Sequence, residues 1–250
     1  MFFEIQIIKK AIPEAWINVL KCEENNIQTN IRQKLLNKNL TSKEIYDEFI
    51  GEHSPNPNMK YWENKFNLEN YDWENVFLNK LYSRLLPRKI HDFNFKIIYG
   101  VLPTEKRIKN MKLSDGICKL CENDTENSEH LFFNCIKLEN IWTKLENIIT
   151  VLMTEIINFD YQDIILGIER DSNINTYIIN MLIFMLKWDI WKRRNLYVFE
   201  GELRSVNDMW ISFCYHSRVH FDMLSKSDSI VKKTKGLKQL LLKTIDVLKP

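Results

Sequence analysis

Glycine and proline are scarce, with six of each in 250 residues, against roughly 7% and 5% in ordinary chains. That shortage argues against glycine-rich barrels, hairpin-dense sandwiches and collagen-like repeats. Neither G-x-G-x-x-G nor G-x-x-x-x-G-K occurs, so the phosphate-cradling loops of dinucleotide and P-loop enzymes are missing. Cysteine is limited to an odd five, at positions 22, 118, 121, 135 and 214. The first ten residues have no charged n-region and carry Glu4 within the apolar stretch, which does not suit a signal sequence. A secreted disulfide scaffold is therefore not expected, and the chain reads as intracellular, nuclear or cytoplasmic. No long uninterrupted hydrophobic run exists either. The most apolar stretch, Ile174 to Trp191, contains Asn175, Asn180, Lys187 and Asp189, so no membrane span or membrane partner is expected. An excess of one charge sign is also lacking: Lys+Arg 35 against Asp+Glu 33 gives +2.

What is present is a chain that is 45% hydrophobic, 12% aromatic and 27% charged, a globular profile. Helix signals dominate, and no convincing strand alternation is seen. Pro13 suits a first helical turn, Thr41-Ser-Lys-Glu44 forms a capping box, and Asp72 can cap a helix to about Leu86. Pro87 breaks that helix, and Arg88 to Tyr99 follows with Gly100 as its stop. Thr104 opens a short basic helix to Met111. Ile136 to Val151, Asn175 to Phe199, Val206 to Leu224 and Ile230 to Leu248 each carry an apolar stripe at helical spacing. The expected fold is all-α, a multi-helix domain with an embedded metal-binding loop. Three parts are expected: an N-terminal helical segment (1–70), a helical metal-binding domain (71–201), and C-terminal helices with a basic tail (202–250).

Residues 118–135 contain one sharp motif, Cys118-x2-Cys121-x8-His130-x4-Cys135. The Cys-x2-Cys step brings two thiolates together across a tight turn, and Asp115-Gly116 supplies turn chemistry just before it. Three soft thiolates and an imidazole favour one tetrahedral Zn²⁺ over hard cations. All four positions are filled by protein, so the ion is expected to be structural. Phe132 and Phe133 are expected to pack the 129–135 helix back into the domain.

Charge is segregated around this motif. Residues 80–119 carry ten bases and three acids, a local +7, and residues 120–163 carry nine acids and two bases, a local −7. Arg84, Arg88, Lys106, Arg107, Lys109 and Lys112 are candidate phosphate contacts. Lys192, Arg193 and Arg194 form a second basic group, and Lys232, Lys233, Lys235 and Lys238 a third. Each run equally suits a solvated helix face. Phe93 and Tyr99 are more readily core than stacking platforms. The metal loop itself is acidic (Glu122, Asp124, Glu126, Glu129) and would repel phosphate.

The succession Phe93-Asn-Phe-Lys-Ile-Ile-Tyr-Gly-Val-Leu-Pro-Thr104, Cys-x2-Cys, Glu129-His-Leu-Phe-Phe-Asn-Cys135, Trp142 and Trp188-Asp-Ile-Trp-Lys-Arg-Arg-Asn195 resembles the reverse-transcriptase zinc-binding domain. That domain is the C-terminal region of proteins encoded by non-LTR (LINE-type) retrotransposons. The upstream segment Thr41 to Tyr61 resembles the stretch between polymerase and zinc domain in such elements. The resemblance implies zinc ligation by Cys118, Cys121, His130 and Cys135. It also implies a role in holding element RNA or target DNA, beside a reverse transcriptase polypeptide. The chain has no Asp-Asp dipeptide, so the polymerase metal pair is missing and no enzyme activity is expected.

Two other readings stand beside this one. The chain could be a structural or protein-interaction piece, or an inactive remnant, with the aromatics of 61–77 (Tyr61, Trp62, Phe66, Tyr71, Trp73, Phe77) as a partner surface. Alternatively His216-x3-His220, with Cys214 and Asp222 close by, could form a second metal site or a nucleophile pair.

Overall fold

In the computed structural model the described residues are 57–69, 71–73, 85–138, 140–154, 156–168, 174–227 and 236–248. All lie in the unit Asn56–Pro250, and the unit Met1–Pro55 is outside them. The Pro13 helix, the Thr41 capping box and most of the helix expected after Asp72 therefore fall outside the described residues. In chain order the elements are α1 (Pro57–Phe66), α2 (Arg88–Ile98), α3 (Glu105–Asn110), a π-helical turn (His130–Asn134) and a 3-10 turn (Ile136–Leu138). Then come α4 (Ile141–Met153), α5 (Tyr161–Leu166), α6 (Ile174–Glu200), α7 (Val206–Ser225) and α8 (Leu237–Val247). Among the described residues there is no strand, only an isolated antiparallel bridge between Ile117 and Thr125. The fold is all-α, as expected.

Helix α6 is the axis of the assembly. Its sequence shows one stripe, Ile178, Met181, Leu182, Met185, Trp188 and Trp191. The structure buries more than that: Ile179, Ile183, Phe184, Leu186 and even Lys187 are enclosed as well. A helix apolar on all sides belongs in the centre of a fold. Accordingly α2, α4, α7 and α8 all pack on α6, and α8 also packs on α7. From α7 come Met209, Trp210, Phe213 and Phe221, and from α8 Leu237 and Leu241. Each such side chain contributes about 1.5–3 kcal/mol on leaving water.

Two junctions differ from the sequence expectation. The continuous helix expected over Ile136 to Val151 is split, because Asn140 sits at φ 66 and α4 starts only after it. Asparagine tolerates the left-handed region better than other non-glycine residues. Trp142, at the start of α4, donates its indole N–H to the Phe132 carbonyl at 2.6 Å. Near the other end, Thr104 is the N-cap of α3 but its side chain makes no capping bond. The Glu105 N–H is instead accepted by the Glu126 carboxylate at 3.0 Å.

The end of α5 is closed by side chains from α6. Asn180 accepts from the Ile168 N–H at 2.7 Å and donates back to the Ile168 carbonyl at 3.3 Å. Gly167 permits this approach: at φ +81, a Cβ there would meet Asn180 Oδ1 at 2.8 Å. About two turns further along α6, Lys187 donates to the Ile165 carbonyl at 3.2 Å, with Nζ 4.6 Å from the centre of the Phe184 ring. Burial holds the Lys187 ammonium well below the ordinary lysine range. Because its folded pKa lies below its unfolded value, the unfolded chain takes up the proton first. Stability contributed by this group is therefore lost as pH falls from the unfolded value near 10.5. Lys187→Met is expected to raise stability at about pH 7 by on the order of 1 kcal/mol. The gain should shrink toward about pH 10, which calorimetry on both proteins at the two pH values would measure.

Candidate metal centre

The loop between α3 and the π-helical turn is held by its own backbone. Asp115 Oδ1 accepts from the Ile117 N–H at 2.9 Å, and Ser114 Oγ accepts from the Gly116 N–H at 3.0 Å. Gly116 has φ +84, and a Cβ there would meet Lys109 Cδ at 2.6 Å. The Cys118 N–H donates to the Asp124 carbonyl, the Glu126 N–H to the Gly116 carbonyl and the Glu122 N–H to the Cys118 carbonyl, at 2.8, 3.0 and 2.8 Å. Glu122 turns the chain at φ 57. These bonds fold 117–125 into a knuckle that places Cys118 and Cys121 side by side.

His130 and Cys135 arrive on the π-helical turn. Asn127 accepts from the His130 N–H at 2.7 Å and starts that turn. In an α-helix, residues five apart point about 140° away from each other. The wider π turn brings them toward the same side, a distortion frequently found at functional sites. An ordinary helix over 129–135 would have separated the two ligands. Phe132 is fully buried on this turn, while Phe133 is exposed, its ring centre 5.9 Å from that of Tyr161. The expected packing of both rings is thus realised by Phe132 alone.

The ligand atoms of Cys118, Cys121, His130 and Cys135 all lie within 4.8 Å of one another. A tetrahedron with Zn–S bonds of about 2.3 Å has edges of about 3.8 Å, so the donor set fits a zinc ion. Cys118, His130 and Cys135 are buried and Cys121 is half-buried. His130 turns Nε2 toward Cys121 Sγ at 3.3 Å, and its Nδ1 lies 3.8 Å from the Asp124 carboxylate. That leaves Nε2 as the ligand atom and gives the far side of the ring an acidic neighbour. Burial lowers the His130 pKa below its usual value against the pull of Asp124 and Glu126, so the neutral, ligating form prevails. Between the sulfurs alone, hydrogen bonding to Cys135 pushes the Cys118 thiol up, as does burial, and the same bond pulls Cys135 down. A divalent cation makes three thiolates compatible, and the protein binds one structural zinc in this shell.

The loop has a second anchor that the charge pattern does not reveal. Arg194 of α6 is buried, and its Nη2 donates to Glu126 at 2.9 Å and also to Glu105, which in turn accepts from Ser114 Oγ. Arg194 Nε lies 3.2 and 3.3 Å from the two Glu126 oxygens, and its guanidinium is 5.1 Å from the centre of the Trp191 ring. One cation thus ties α3 and the zinc knuckle to the central helix. The signal was present in the spacing. Arg194 continues the buried stripe three residues past Trp191, where a charge needs an internal partner.

The remaining candidate residues separate into groups. Arg88, Lys106, Lys109 and Lys112 are exposed, and Arg84 lies outside the described residues. Arg107 is half-buried and donates to the Gly100 carbonyl at 2.6 Å. Lys192 pairs with Asp189 at 2.5 Å, and Arg193 is buried with its Nε on the Arg204 carbonyl at 2.7 Å. Burial lowers the Arg193 pKa, and the nearby Cys135 opposes that shift. The run 192–194 is therefore no solvated basic face, because Arg193 and Arg194 point inward. Lys238 is exposed, and Lys232, Lys233 and Lys235 lie outside the described residues. The acidic loop is also less acidic at its surface than its composition suggests: Glu126 is buried on Arg194 and Glu129 is paired with Lys65. Of the aromatics at 61–73, Trp62 is buried and donates to the Ile98 carbonyl at 2.9 Å, and only Tyr61 is exposed. Phe77 lies outside the described residues.

No second metal site forms at His216 and His220. His216 Nδ1 lies 3.2 Å from Ser212 Oγ, and His220 Nε2 lies 2.6 Å from the Leu85 carbonyl. Cys214 is buried, which pushes its thiol up to about 11, and Asp222 pairs with Lys226 at 2.6 Å. Each group faces a different neighbour.

Fold and site together define a helical protein with a closed, structural three-cysteine, one-histidine zinc knuckle. Residues 41–142 match the family described as zinc-binding in reverse transcriptase. The match contains all four ligands and ends at Trp142, whose indole holds the ligand-bearing turn. No curated protein and no solved structure matches the chain. Among the described residues, no helix is long and apolar enough to cross a membrane.

Zinc and Arg194 are expected to restrain the same loop independently. Cys118→Ser should lose the metal and raise hydrogen exchange over 112–135, leaving 178–224 protected. Arg194→Met should cost about 3–5 kcal/mol by stranding two buried carboxylates, and loosen the loop with zinc still bound. Metal content and hydrogen-exchange mass spectrometry on both variants would separate the two effects. Unchanged exchange in either variant would refute its anchor.

Proposed function

We propose that this protein is a non-catalytic nucleic-acid-holding module of a non-LTR-type retroelement, with zinc as scaffold and RNA or single-stranded DNA as ligand. It would act inside the cell, in nucleus or cytoplasm, beside a reverse transcriptase polypeptide. The observation that carries this reading is the exposed basic strip Lys106, Lys109 and Lys112, joined directly to the zinc knuckle. Lys106, Lys109 and Lys112 are all solvent-exposed, and Arg88, Lys89 and Lys96 are exposed on α2. Phosphates are met by such unspent surface cations. The Lys106 N–H donates to the Glu126 carbonyl at 3.0 Å, so the start of the strip is fixed by the same residue that Arg194 holds. Zinc would thereby position cations without touching ligand. A four-ligand protein shell leaves no open position for an activated water, which supports a non-catalytic role.

Beside the strip runs a cleft of about 270 Å³, with Lys106, Arg107, Asn110, Tyr61 and Tyr161 among its lining. It offers cations, amides and an exposed aromatic ring to one unpaired strand. Affinity for single-stranded RNA is expected to fall steeply with salt, with a log–log slope near −0.7 for each phosphate neutralised. The triple variant K106E/K109E/K112E should reduce both affinity and slope while zinc content stays at one per chain. Salt-independent or absent binding in a fluorescence-anisotropy titration would sink this reading and leave a protein-docking role in its place.

A further inference from the structure

The C-terminal half of α6 and the start of α7 enclose a second cleft, of about 360 Å³. Its lining includes Trp188, Trp191, Arg193, Phe199 and His216. Two side chains on its walls carry donors without acceptors: Trp188 at Nε1 and Arg193 at Nη1. Arg193 is 5% exposed, and among the described residues no carboxylate pairs with it. Its Nε is already given to the Arg204 carbonyl. The nearest acid in sequence, Asp189, is matched by Lys192 at 2.5 Å and has His216 at 3.8 Å. The Arg193 guanidinium lacks an anionic acceptor, and the Trp188 indole N–H on the same cleft lacks any acceptor. The same cleft is also lined by Phe199, which is 77% exposed, an aromatic face left open.

Oxygen anions suit the two donors, and a flat ring suits Phe199. We propose that this cleft binds a nucleotide, its phosphate oxygens on Arg193 and Trp188 and its base against Phe199. Both donor atoms are buried, so this assignment requires the Trp188 and Arg193 side chains to turn toward the cleft. The site shares its ligand class with the proposed function but uses none of the residues of the Lys106–Lys112 strip, so the two stand or fall separately.

The full zinc-loaded chain would be followed by ¹H–¹⁵N NMR through the Trp188 indole N–H, assigned by its loss in Trp188→Phe. AMP, inorganic phosphate and a short single-stranded RNA are the titrants. The expected result is a saturable shift of the Trp188 signal with AMP and with RNA. Phe199→Ala, at an exposed position that the fold does not need, should weaken AMP by about tenfold. Arg193→Gln should abolish the shift. An equal response to inorganic phosphate and AMP, untouched by F199A, would overturn the nucleotide assignment in favour of a bare anion hole. A Trp188 signal unmoved by all three titrants would overturn the site altogether. K106E/K109E/K112E should weaken RNA and leave the AMP shift intact. RNA binding lost from the wild type with AMP binding retained would count against the strip and not against this cleft.

Discussion

Everything around the zinc knuckle depends on one buried guanidinium meeting two buried carboxylates. Glu105 and Glu126 are each at most 4% exposed, and burying two carboxylates together is costly unless a cation is held in register with them. Arg194 supplies it from 68 and 89 residues away. The planar fork of arginine suits the task, reaching one carboxylate through Nε and Nη2 and the other through Nη2 alone. Because Glu126 also receives the Glu105 N–H, the same contact sets the start of α3. The position of the basic strip thus follows from an ion pair in the interior.

Metal and ion pair divide the work by range. Zinc closes a loop of eighteen residues onto itself, and its stabilisation is local. The Arg194 contact fastens that closed loop to a helix far along the chain. Trp142 adds a third tie, from indole to the Phe132 carbonyl, on the side where the π-helical turn leaves the knuckle. None of these three depends on surface charge, so the near-neutral total of +2 says little about them. That total conceals a division of labour. Some charges lock the fold from within, and the lysines of α3 stay at the surface.

Much of the molecule was legible in the sequence for plain physical reasons. Helices show themselves by spacing, and the stripes of α4, α6 and α7 are long enough to be unmistakable. The four zinc ligands stand out because cysteine is rare and its spacing is constrained by geometry. What stayed hidden was pairing at long range. A run such as Lys192-Arg-Arg194 looks like one basic patch along the chain, yet helical rotation sends Arg193 and Arg194 inward and keeps Lys192 at the surface. The acidic loop misleads in the same way, since Glu126 and Glu129 each have a cation waiting on another element. The break at Asn140 escaped notice because a left-handed residue carries no hydrophobic signature.

The π-helical turn gives the interval between His130 and Cys135 a meaning of its own. Four intervening residues are one too many for two ligands to share a side of an α-helix, where an interval of three would serve. The x4 spacing is therefore a ruler for the width of the turn. Losing a single residue between the two ligands would not merely shorten a loop. It would demand a different helix, with Phe132 rotated out of the core and the Trp142 bond left without its acceptor. Ligand spacing in a zinc motif can thus record backbone geometry as well as metal preference, and sequences that keep this interval can be examined for the same wide turn.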